Sequence, residues 1–166
     1  MMTSVQLATL KTDVQADSAL NALPHTADSA LVIAATYDLV ASPDYWVWRT
    51  SVTRADIYDT VDFEGGSWDW TTYKNQSVTE QNAWTQIFMG DRANFAQANV
   101  RAGVNAIFTG TGAPAAQRAH CLSVGRRKGT RYEKLFATGA GSTAAPSVMA
   151  LESPLSPQDV MQAMGW

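Results

Sequence analysis

Residues 27–41, ADSALVIAATYDLVA, decide the fold class. Thr26 and Asp28 open a helix here. Ala30, Ile33, Ala34, Tyr37 and Val40 make one of its faces, while Leu31, Ala35 and Leu39 fill the other. A helix that is apolar on most sides is expected to be buried. Ser42-Pro43-Asp44 ends it in a turn.

Upstream, Ser4 is placed to cap a helix over 5–22, with Leu7, Leu10 and Val14 on one stripe. The stripe then slips to Ala16, Leu20 and Leu23, so Asp17 starts a new turn and Pro24 stops it. Downstream, YWVWRTSV (45–52) reads as extended because it is rich in aromatic and β-branched residues. Thr53 caps a short helix over 54–62, and FEGGSWDWTTYKN (63–75) reads as a loop with large anchors. Ser77 or Thr79 begins a helix that reaches Phe88 and stops at Gly90.

Residues 91–108 carry the clearest amphipathic pattern, with Val100, Val104, Ile107 and Phe108 on one stripe and Ala98, Ala102 and Ala106 on a second. After the turn TGTGAP a long helix is expected over 114–137. Leu122, Gly125, Gly129, Tyr132 and Phe136 would face inward, with Arg127, Arg131 and Lys134 at i, i+4 and i+7 on another face. Thr130 with Glu133 reads equally well as a capping box that restarts the helix after Gly129. TGAGSTAAPS (138–147) is a small-residue linker and 148–153 an extended piece. Ser156-Pro157-Gln158-Asp159 is a helix start, and that helix stops at Gly165. The expected architecture is mainly α: a helical bundle with a short extended segment and a C-terminal extended arm ending in a short helix. Residues 1–137 form the body and 138–166 the linker and docking arm.

Composition bounds the classes. Hydrophobic residues at 46% of 166 support a folded core, while 16% charged residues and 26 alanines suit small-residue helices partly covered by something else. No run of about 18 apolar residues suggests a membrane span, and no cationic head with an apolar stretch at the N-terminus suggests a secretory leader. Cys121 is the single cysteine, which forbids an internal disulfide and fits a reducing compartment.

Charge is unevenly spread along the chain. Residues 1–100 hold five basic against twelve acidic side chains, and residues 101–166 seven basic against three acidic. Arg118, Arg126, Arg127, Lys128, Arg131 and Lys134 are expected to form a basic face, either toward duplex phosphates or toward the acidic half of a neighbouring copy. Aromatic residues for base stacking are sparse there, which disfavours single-strand binding.

Catalytic and metal chemistry finds little footing. His25, His120 and Cys121 are too few and too badly spaced to chelate, since adjacent helical residues point about 100° apart. Gly110-Thr111-Gly112 lacks the third glycine and the lysine of a phosphate loop. Asp56, Asp59, Asp62, Glu64 and Asp69 supply carboxylates for glycoside hydrolysis with Trp68 and Trp70 as sugar platforms, but clustered loop acids are usually solvated surface. No enzyme and no cofactor is expected. Trp46, Trp48, Trp68 and Trp70 fit either an aromatic core or an interface.

The stretches LATLKTDVQAD, ALVIAATYDLVASPDYWVWRTSV and RYEKLFATGAGSTAAPSVMALESPLSPQDVM resemble a family of small tailed-bacteriophage proteins assigned as head–tail connectors (adaptors). The resemblance implies a virion protein at the head–tail interface, assembled in the host cytoplasm as a homo-oligomeric ring under the portal. It also implies portal and tail or nozzle proteins as partners, twelve copies by portal symmetry, and nonspecific contact with channel DNA. The arm would dock through Val148, Met149, Leu151, Val160, Met161, Met164 and Trp166. The alternatives are a head-completion or tail-terminator component, or a protein that binds the DNA backbone without sequence preference.

Overall fold

Threonine, serine and aspartate side chains set most of the element boundaries in the computed structural model, which describes residues 2–150 and 152–166. Thr3 and Gln6 form a capping box for α1 (Ser4–Ala16), one residue ahead of the expected Ser4. Asp17 then accepts the amides of Ala19 and Leu20 to start α2 (Ser18–Asn21). Thr26 caps α3 (Ala27–Tyr37). The chain continues through β1 (Trp46–Trp48), β2 (Val52–Thr53), α4 (Arg54–Asp59), α5 (Trp70–Lys74), α6 (Val78–Ile87), β3 (Arg92–Ala93) and α7 (Ala98–Ile107). It ends with α8 (Ala113–Val124), β4 (Arg126–Lys128), α9 (Arg131–Phe136) and α10 (Pro157–Met164). The fold is mainly α. β1 pairs with β4 and β2 with β3, the latter antiparallel with Val52 opposite Ala93.

The chain divides into two units, residues 1–46 with 128–166, and residues 47–127. In the first, α1, α3 and α10 bury Leu10, Val14, Ile33, Tyr37 and Val160 together, with Tyr132 from α9. Each such side chain contributes roughly 1.5–3 kcal/mol on leaving water. In the second, Trp84, Phe88, Phe95, Val104, Ile107 and Phe108 form the core. Trp68 packs against Trp84 with ring centroids 5.1 Å apart, and the Trp84 indole donates to the Tyr58 hydroxyl at 3.0 Å.

Four expectations are corrected. Residues 138–166 do not stand apart as an arm. They belong to the first unit, where α10 packs on α1 and α3, Thr138 bridges Val148, and Trp166 stacks on His25 at 5.0 Å. An eight-residue helix with Val160 and Ala163 on one side buries that side on the nearest apolar surface, which its own chain supplies.

The 114–137 helix is interrupted. Gly125 ends α8 with the Phe95 ring packed against its Cα, where no side chain would fit. β4 follows, which neither reading expects, and the Thr130–Glu133 capping box then starts α9 anew, as the second reading expects. The helix expected from residue 91 begins only at Ala98. Asp91 takes a left-handed conformation at φ 65°, and β3 and the Asn94 turn occupy the intervening residues. Within the expected 63–75 loop, Asp69 caps α5 by accepting the amides of Thr71 and Thr72.

Candidate functional site

The six cations expected on one helix face are split between the units, and five of them are engaged there. Arg118 donates to the Phe108 carbonyl. Arg126 reaches Glu64 at 2.9 Å and lies over the Phe63 ring, while Arg127 is half-buried on β4. In the other unit Lys128 pairs with Asp44 at 2.7 Å. Arg131 lies over Tyr37 and bridges Asp13 at 3.1 Å and Asp17 at 2.9 Å. The Arg131 guanidinium, with the Leu20 amide, holds the Asp17 carboxyl below the usual carboxylate range. Phosphates would have to displace these carboxylates. The continuous basic face is therefore absent among the described residues, and the opposite-signed halves of the sequence neutralise each other in part within one chain. Lys134 differs: its ammonium sits over the Tyr45 ring at 5.9 Å and has no carboxylate partner among the described residues.

The tryptophans divide. Trp48 and Trp68 are buried in the second unit, Trp46 is half-buried, and Trp70 remains 49% exposed while packing on Tyr58 at 4.8 Å. Of the expected docking residues, Val160 is fully buried, and Met161, Met164 and Trp166 pack on the same core. Met149 is half-buried, Val148 exposed, and Leu151 lies outside the described residues. These side chains do not form one free surface.

The loop carboxylates are also committed. Asp56 accepts the Thr53 amide and pairs with Arg49 at 3.2 Å. Asp62 accepts the amides of Glu64 and Gly66, and its Oδ2 stands 2.8 Å from Nδ1 of His120. Nε2 of that ring donates to the Ile57 carbonyl at 2.8 Å. Burial opposes ionisation of Asp62, but the His120 ring and the two amides outweigh it and hold the carboxyl below its ordinary value. With both nitrogens occupied, His120 has none left to activate a nucleophile, Ser123 one turn along α8 included. It is a buried tie between α8 and the loop after α4, spanning 58 residues of sequence. Burial pushes the neighbouring Cys121 thiol up, which keeps it protonated and inert. No cluster of metal-binding side chains occurs among the described residues.

The outer face of α3 carries a run of exposed apolar side chains. Leu31 is 61% exposed, Val32 48%, and beyond the helix end Leu39 64% and Val40 57%, with Ala35 also exposed. The expectation that α3 is buried all round is corrected: Ala30, Ile33, Ala34 and Tyr37 face the core and the Leu31–Ala35 side faces water. Leu39 and Val40 border a cavity of about 500 Å³ shared with Thr36, Leu135, Lys134 and the Arg131–Asp13 ion pair. This apolar face beside Lys134 is the candidate site. Its signal lay in Leu31, Ala35 and Leu39, read from the sequence as core.

Fold and surface thus define a mainly α protein with two cores and an exposed apolar run along α3. The chain matches no protein-family model, no curated protein and no solved structure.

Proposed function

We propose that the chain is a non-enzymatic structural protein of a tailed-phage virion, a head–tail connector that assembles as a ring beneath the portal. The observation that carries the assembly part is the exposed α3 face. Large apolar side chains seldom lie side by side on the water-facing side of a helix unless a partner covers them. The resemblance of the N- and C-terminal stretches to phage connectors narrows that partner to other virion proteins. The spent C-terminal segment moves the expected contact from the arm to α3. The DNA-backbone reading is disfavoured, because five of the six expected cations are already engaged within the chain.

Native mass spectrometry of the chain mixed with its portal tests the reading. Multiple copies are expected on one portal ring, lost in Leu39→Asp while the circular dichroism stays unchanged. Persistent separation of the two proteins at physiological salt would refute it. Heads that leak DNA in a deletion strain, without a defect in tail joining, would instead favour a head-completion component.

A further inference from the structure

We infer that the α3 face pairs with the α3 face of a second copy across a two-fold axis, with Asp28 of each copy meeting Lys134 of the other. The inference rests on the uncovered face and needs no phage context. Asp28, Leu31, Val32 and Ala35 lie on the exposed side of α3, at the 3.6-residue period, and Leu39 is exposed two residues beyond its C-terminal end. Ala35 lies at the middle of the stripe. A small side chain at a crossing point lets two helix axes approach to the close end of the usual ~8–10 Å.

An antiparallel crossing at Ala35 brings Leu31 of one copy past the C-terminal end of the partner's α3, toward the exposed Leu39, twice by symmetry. The same register fixes the charges. Asp28 stands seven residues before Ala35, about 10 Å along the axis. The partner's α3 ends at Tyr37, about 3 Å past Ala35, so Asp28 arrives about 7 Å beyond that end, on the side where the chain runs on to Leu39 and Val40 and where Lys134 lines the same 500 Å³ cavity. Neither Asp28 nor Lys134 has an ion-pair partner among the described residues of its own chain, apart from the cation–π contact to Tyr45. An acid at one end of an apolar stripe and a cation at the other make the face complementary to itself only when antiparallel, since a parallel pairing would stack like charges. The cavity gives the partner's Leu31 a space to enter.

One helix stripe on each side is smaller than the ~800 Å² per partner of a standard interface, so the dimer is a weak, reversible one. Two-fold pairing also uses up the face. Within the connector reading, the dimer is then a stored form that opens before α3 takes part in a ring.

Sedimentation equilibrium of the full chain at low salt tests this. A monomer–dimer equilibrium is expected in the range of tens of micromolar. Asp28→Lys and Lys134→Glu should each weaken it about tenfold, and the double variant should return to within about threefold of the parent, because the exchanged charges attract again. Ala35→Trp, at an exposed position, should give a folded monomer by circular dichroism. A monomer up to 1 mM (roughly thirtyfold above the expected midpoint), a dimer indifferent to Ala35→Trp, or a double variant as weak as the singles would overturn the inference. So would higher oligomers with no dimer. Portal binding by the double variant separates the two readings: a lost dimer with intact portal association defeats this inference alone, and the reverse defeats the connector.

Discussion

His120→Leu is expected to lower the unfolding free energy by about 3–5 kcal/mol, because it leaves the Asp62 carboxylate and the Ile57 carbonyl buried without the ring between them. Both side chains are almost fully removed from water, at 0% and 3% exposure, so solvent cannot take over as partner. Leucine fills a similar volume and isolates the polar loss from a cavity effect. Since a domain of this kind holds ~5–15 kcal/mol in total, the change is a large share of its stability. Urea titration at neutral pH reads it as a lower midpoint at unchanged slope.

The pH dependence has a defined sign. The folded Asp62 carboxyl titrates below its unfolded value of about 3.9, so its contribution is fully present above that value and is lost as pH falls through the folded one. The acid limb of the stability profile should therefore flatten in His120→Leu, which lacks one of the groups that depress the carboxyl. A variant within about 1 kcal/mol of the parent would mean that the tie is not structural.

Val160→Asp is expected to cost at least about 4 kcal/mol and to unfold the first unit. Val160 is fully buried on α10, in the apolar cluster it shares with side chains of α1 and α3. The substitution separates two accounts of the C-terminus. A helix spent on its own chain transmits the defect to folding, seen as loss of helical circular dichroism and a collapsed midpoint. A helix reserved for a neighbour would leave the fold intact and abolish only assembly.

Local chemistry made much of the fold legible. Thr26, Thr53, Ser77 and Ser156 cap the helices that their positions predicted, and Asp17 opens its new turn, because a cap needs only a side-chain oxygen and the amides two or three residues on. α5 was hidden because Gly65-Gly66 and the surrounding aromatic residues mask the Asp69 cap. β4 was hidden because Arg-Arg-Lys has no strand propensity and is extended by its pairing with β1, a contact that lies far away in sequence.

The candidate site was legible in composition and illegible in orientation. Periodicity groups Leu31, Ala35 and Leu39 on one face, but an apolar face that awaits a partner has the same sequence signature as one already covered. The basic residues misled for a related reason. Their clustering between 118 and 134 is a property of the linear chain, whereas Arg131 finds Asp13 and Asp17 more than 110 residues away. The His120–Asp62 tie joins two residue types that, read singly, suggested only a histidine badly spaced to chelate and a solvated acid.

Hydrogen exchange on the dilute, isolated protein tests most directly whether the C-terminal helix is spent at home and α3 is the surface left over. The amides of α10, such as Val160 and Gly165, should be protected to the level of the α3 core and independently of concentration. If those amides exchange at the rate of a free peptide in dilute solution and gain protection only as copies associate, the helix belongs to a neighbour and the proposed surface is the wrong one.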